Sequence, residues 1–285
     1  MHEPLSRELA DWRVAPQARP VQRWRVYLLL ANAAMQRALF YRARALITAL
    51  TGLIQVSALF FLWRAFYAEQ AVVEGYRWAD IRTYLFLTFL LGLLVAFDTE
   101  TQISAGIRDG SIIVELVKPL DFLWARFAEA CGAAVVEGVL IGSGAVVVGV
   151  LLFQVQLPAV GALLPVVLSV LAAFVLKFLL AFLTGMCCFW TTSVIGLIRL
   201  RVVLVSFFSG ALVPLAFLPQ WVQQLAAFLP FQGTLHTPVS IYLGHLQGSA
   251  AWWALALQGV WIVVLWLLSR WMLRLGLRRL TSHGG

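Results

Sequence analysis

The chain has 285 residues, of which 62% are hydrophobic and only 12% charged. That balance excludes an ordinary soluble globular protein, which cannot hide so much apolar surface from water. The formal charge of +8 comes from 21 Lys and Arg against 13 acids. With no soluble surface to carry a basic patch, this charge speaks for loops held on the inner side of a membrane and against nucleic acid as a partner.

From the start of the chain, residues 1–20 are polar, charged and interrupted by Pro4, Pro16 and Pro20. They lack the apolar core of a secretory signal and are expected to stay in the cytoplasm as a tail. Residues 21–44 alternate Trp24, Tyr27, Leu28, Met35 and Phe40 with Arg23, Arg25, Arg37 and Arg42. This mixture predicts an amphipathic helix lying in the membrane interface.

Crossing a hydrocarbon core of roughly 30 Å takes about 20 apolar residues. Six runs qualify or nearly do, within a membrane domain at residues 45–272: Ala45 to Trp63, Tyr84 to Phe97, Phe127 to Phe153, Val160 to Phe189, Val202 to Phe217 and Ala251 to Met272. The second and fifth need polar flanks to reach spanning length. The expected fold is all-α, a polytopic bundle of six transmembrane helices. With both termini inside, only Arg64, Arg77 and Arg82 fall outside, as the distribution of positive charge in membrane proteins requires. Residues 273–285, with Arg274, Arg278 and Arg279, form a basic cytoplasmic tail.

Two segments are neither spans nor plain linkers. Residues 98–126 form the inner loop after the second span, where Asp109-Gly110-Ser111 is a turn and helix-start signal. Ile112, Ile113 and Leu116 then recur on one face beside Glu115, and Lys118-Pro119 closes the element. A short helix with apolar and charged faces, reaching back to Arg108, suits the docking of another protein. Residues 218–246 are broken by Pro219, Pro230 and Pro238, and their apolar stretch from Trp221 is too short to cross. Short interfacial or re-entrant helices on the outer side are expected there.

The chemistry-bearing residues are sparse. With only Lys118 and Lys177 and no G-x-x-x-x-G-K-[ST], the chain has no phosphate-cradling loop, so no ATP site of its own is expected. His2, His236, His245 and His283 are scattered and Cys131, Cys187 and Cys188 lie within or beside apolar runs, which predicts no metal site and no disulfide framework. Ser209-Gly210 and Gly142-Ser143-Gly144 lack an intramembrane His to act as base, so no catalytic residue is assigned and the small residues are read as permitting close helix packing, with Gly138 and Gly142 as a small-x-x-x-small pair. Glu137 and Lys177 both fall roughly 13 Å from the inner end of their spans at 1.5 Å per residue, so a charge pair across the third and fourth spans is expected.

The run from Ile107 to Leu123 resembles the segment I-x-x-G-x-[ILV]-x-x-x-L-x-[KR]-P-[LV]-[DN] of ABC-2-type transporter permeases. Ser209 through Pro214 to Pro219 and Trp221, with Leu229-Pro230-Phe231-Gln232 and residues 238–244, is similar to that family's outer segment before the last span. The resemblance covers nearly all of the chain from about Val21. It implies the exporter fold with a connecting helix, a coupling helix and outer re-entrant helices. It also implies a bacterial inner-membrane permease that pairs with a second permease and docks two ATPase subunits, which bind ATP and magnesium. The coupling helix falls within Arg108 to Pro119. An ion-coupled secondary transporter would place several carboxylates near the membrane centre, where only Glu137 is a candidate. A membrane anchor for an ATPase that transports nothing stays open.

Overall fold

The computed structural model describes residues 20–93, 99–191 and 194–282. The polar tail before Pro20, residues 94–98 at the end of the second apolar run, residues 192–193 and the last three residues lie outside the described residues.

Helix α1 (Pro20–Phe40) begins on a proline, whose missing N–H is harmless in a first turn, and passes through Tyr41 into α2 (Arg42–Phe66). A two-residue hairpin pairs β1 (Val72–Val73) with β2 (Tyr76–Arg77) across Glu74 and Gly75, both at positive φ, the geometry of a tight primed turn. Among the described residues this hairpin is the only departure from an all-helical chain. Helix α3 (Trp78–Leu93) follows, its first turn fixed by Asp80, which accepts from the Arg77 backbone N–H at 2.9 Å.

Helices α4 (Thr99–Asp109) and α5 (Ile112–Val117) are joined at Gly110, whose φ of +78° favours glycine. Pro119 then separates α5 from α6 (Phe122–Val148), which Asp121 caps by accepting from the Trp124 N–H at 3.2 Å. Helix α6 ends in a wide turn over Gly149–Phe153. Helix α7 (Leu163–Met186) is extended by single tight turns at both ends, and α8 (Ile195–Phe208) stops at a left-handed Gly210. Helices α9 (Gln220–Ala227) and α10 (His236–Tyr242) precede the long α11 (Ser249–Ser282).

Four helical stretches are long and apolar enough to cross a membrane: Ala45–Phe66, Phe122–Val148, Val160–Phe189 and Ser249–Arg279. They make the chain a membrane protein. Helices α3 and α8, with 16 and 14 residues, are shorter than a full span among the described residues.

The fifth apolar run is displaced from its expected place. The helix occupies Ile195–Phe208, so Arg199 and Arg201 lie within it and not in a preceding loop. The apolar criterion excluded Arg201, but the structure pairs it with Glu100 of α4, which removes the cost of an isolated charge. The last helix likewise continues through Arg274, Arg278 and Arg279, where a basic tail had been expected.

Packing does not follow chain order. Helix α6 lies chiefly against α1, while α7 lies against α11 and α4. The α1–α6 contact is so close that a Cβ on Gly132 would stand 2.0 Å from the Ala31 carbonyl oxygen. Gly142, expected to serve that purpose, has no neighbour within 4 Å of its Cβ position. One apolar core gathers Ile103, Ile112, Phe178, Phe182 and Met186 at the α4–α5 end of the bundle. A second gathers Tyr76, Ile81, Tyr84, Leu235 and Val239 at the hairpin end. Along α2, Leu46, Ile47, Leu50, Ile54 and Leu62 all face outward, as hydrocarbon contact requires.

Candidate functional site

Helix α5 divides the residues predicted for it. Ile112 is fully buried against the core, with Leu116 one turn later packed beside it. Ile113 points the other way, and with Val114 and Val117 it makes an apolar face exposed by 52%, 67% and 78%. Expecting Ile112, Ile113 and Leu116 on one face was therefore wrong by about 100° of helix rotation, the step between adjacent residues. Arg108, Asp109, Ser111, Lys118 and Pro119 are exposed around this face. Asp109 accepts from the Ser111 N–H at 2.9 Å, and hydrogen bonds from Ser111 hold its carboxyl below the usual carboxylate range.

Glu115 has a structural partner instead of an outward role. It pairs with Arg126, which also reaches Glu129 at 2.8 Å and Gln102 at 3.3 Å and stands over the Phe122 ring. Glu129 in turn meets Arg37 of α1 at 3.2 Å. One guanidinium thus joins α4, α5 and α6, and its partner carboxylate continues the chain of charges to α1. Asp121 makes a parallel tie, pairing with Arg270 of α11 while its N–H donates to the Tyr27 hydroxyl at 3.1 Å. These ties are missing from the sequence reading because their partners are up to 149 residues apart.

Glu137 and Lys177 do not come together. Lys177 donates to the Leu91 carbonyl at 3.0 Å and lines a cavity of about 440 Å³ among α2, α3, α7 and α8. Glu137 lines a different cavity of about 450 Å³, among α1, α2, α4 and α6, with Arg37, Arg126 and Glu129. The expected pair presumed that neighbouring spans turn their charges toward each other. Helices α6 and α7 do meet, the Phe127 ring lying 5.1 Å from Phe178 and the Phe122 ring 6.0 Å from Phe182, but through these rings, while the two charges line different cavities.

The broken segment before α11 is built from its prolines. Pro214 and Pro230 are buried; Pro219 is exposed and starts α9, on which Trp221 is 68% exposed. Phe231 stacks on Phe208 of α8 at 6.2 Å, and Gln232 donates to the Ala227 carbonyl at 3.2 Å. The strongest fixture went unseen in the sequence: Gln258 of α11, 2% exposed, accepts from the Ser169 hydroxyl at 3.0 Å and donates to the Gly233 carbonyl at 2.7 Å. A lone glutamine in an apolar run was the available signal.

On α10, burial, with His245 nearby, pushes His236 down to about 4 from an ordinary 6.5. In the window between those values the unfolded chain takes up a proton that the folded one does not, so stability falls as pH falls. Thermal unfolding of the purified chain from pH 7 to pH 4 is expected to show this decline, with a shallower slope in His236→Gln. An equal slope in both would assign the effect to other groups.

The sequence model of a family described as "ABC-2 family transporter protein" matches residues 53–284. No curated protein matches the chain. The match takes in the α4–α5 loop and the broken segment, and begins within α2, so that α1 precedes it.

Proposed function

The chain belongs to the ABC-2 transporter family, and from that premise we propose that it is the permease subunit of an ATP-driven exporter. It forms half of the translocation path beside a second permease, and of two ATPase subunits at the cytoplasmic face, which bind ATP with magnesium and supply the energy, one docks on α5. In this reading α3 and α8 complete a six-span bundle, with α4, α5 and both chain ends on the cytoplasmic side of a bacterial inner membrane and the segment 218–246 outside. No nucleic acid takes part.

The observation that carries the reading is the exposed apolar triplet Ile113, Val114 and Val117 on a helix anchored from behind by Ile112. On a membrane protein's polar end, such a face is suited to a groove on a partner. Nucleotide-driven closure of the ATPases would push on α5, and its ties to Arg126 carry the push into α6.

Co-purification tests this. Val114→Asp combined with Val117→Asp buries two unpaired carboxylates in any such interface, which is expected to weaken capture of a co-expressed ABC-type ATPase at least tenfold. The variant chain should still elute as a folded membrane protein, because both side chains face solvent. Full-strength capture would rule α5 out as the dock.

A further inference from the structure

The cavity of about 440 Å³ among α2, α3, α7 and α8 has the size of a small-ligand site and an uneven lining. At one end stand Lys177 and Arg201 with a single carboxylate, Glu100, so the lining carries one more positive charge than negative. Lys177 has a hydrogen bond to a carbonyl, and its neighbour Arg201 repels it. Arg201 gives one guanidinium nitrogen to Glu100, yet its Nε is buried without a partner. The rest of the lining combines apolar Leu85, Phe89, Val202 and Leu212 with the neutral polar side chains Thr48, Thr51, Gln55 and Thr88. Ser209 belongs to this lining, wholly buried, and its hydroxyl also has no partner. It follows Arg201 by eight residues, roughly 12 Å along the helix axis.

Buried polar groups in native proteins find partners, and a hydroxyl and a guanidinium N–H left over on one cavity wall call for an occupant. We propose that this cavity binds an amphiphile with one anionic headgroup: the headgroup lies between Lys177 and Arg201, the chain runs along the apolar side chains, and an oxygen farther along the ligand meets Ser209. Two basic side chains against one carboxylate favour an anionic headgroup over a cationic or neutral one. Either a bilayer lipid or a separate amphiphile offers this chemistry.

The full chain in phosphatidylcholine nanodiscs, exposed to palmitate carrying a mid-chain photoreactive group, provides the test. Label is expected on peptides spanning 85–93 and 201–212. Unlabelled palmitate should suppress it at least tenfold more effectively than hexadecanol or hexadecylamine. Lys177→Met and Arg201→Gln are each expected to lower labelling about tenfold, Ser209→Ala about threefold, and Lys177→Arg to leave it within threefold.

Including phosphatidylglycerol in the discs separates the sources. If it displaces the label, the occupant is a membrane lipid; if the label persists, it is a separate amphiphile, and both results support the charge requirement. Equal competition by all three chains, or label confined to other segments, overturns the proposal, and the wild-type competition series decides this even if a variant fails to fold. The measurement involves neither the ATPase nor transport, so its failure leaves the permease reading untouched.

Discussion

Arg126→Met is expected to destabilise the chain by about 3 kcal/mol, the lower end of the cost of breaking a buried ion pair, and to uncouple any ATPase bound at α5. Arg126 is only 9% exposed and serves Glu115, Glu129 and Gln102 at once. Its loss leaves Glu129 with Arg37 alone and Glu115 with no cation to hold it. The lower end of the range applies because the Glu115 side chain is 36% exposed and water recovers part of its charge. Lysine at 126 should not restore the loss, since a single ammonium cannot reproduce a fork that engages three partners. Thermal unfolding of the two variants beside the wild type measures this; a Lys variant as stable as the parent would show that the fork does not matter.

Gly132→Ala is expected to be of similar size, roughly 3 kcal/mol, and to act by prising α1 away from α6. The added Cβ would stand 2.0 Å from the Ala31 oxygen and 2.7 Å from its carbonyl carbon, both backbone atoms that no rotamer change can move. Because α1 holds Arg25 and Arg37, trypsin gives a local readout. Faster cleavage at those sites, with the unfolding temperature lowered, is the expected pattern. Gly142→Ala, ten residues along the same helix and open to within 4 Å, is the control and should be near neutral or mildly stabilising. Unchanged cleavage in the Gly132 variant would mean that α1 does not depend on this contact.

These two residues mark where the sequence could and could not be read. The apolar runs that became α2, α6, α7 and α11 were legible because length and composition alone report a span. The run at 160–189 coincides with a structural stretch having the same ends. Helix α8 was misplaced by seven residues at its start because hydropathy counts an arginine as a stop, whereas Glu100 provides the counter-charge from 101 residues away. The loop helices were signalled by Asp109-Gly110-Ser111, but which face of α5 looks outward depends on how it packs on Ile103 and Met186, which no local pattern encodes. The same holds for Gly132: glycine in an apolar helix is ordinary, and only the position of Ala31 makes it necessary. The Glu74-Gly75 hairpin, by contrast, carried a usable signal, an acidic residue and glycine between Val72-Val73 and Tyr76.

The Gly132 contact also sets the mechanics of α6. The helix has 27 residues, and the contact lies ten residues from its start at Phe122 and sixteen from its end at Val148. Treated as a stiff rod, α6 therefore has arms of roughly 15 Å and 24 Å about this fulcrum. A tilt imposed at Arg126, which grips α5 six residues or roughly 9 Å from the fulcrum, would reappear reversed at the far end and enlarged by about 2.7. A sub-ångström displacement at the polar end of the bundle would then become a motion at the opposite face as large as the gap between touching side chains.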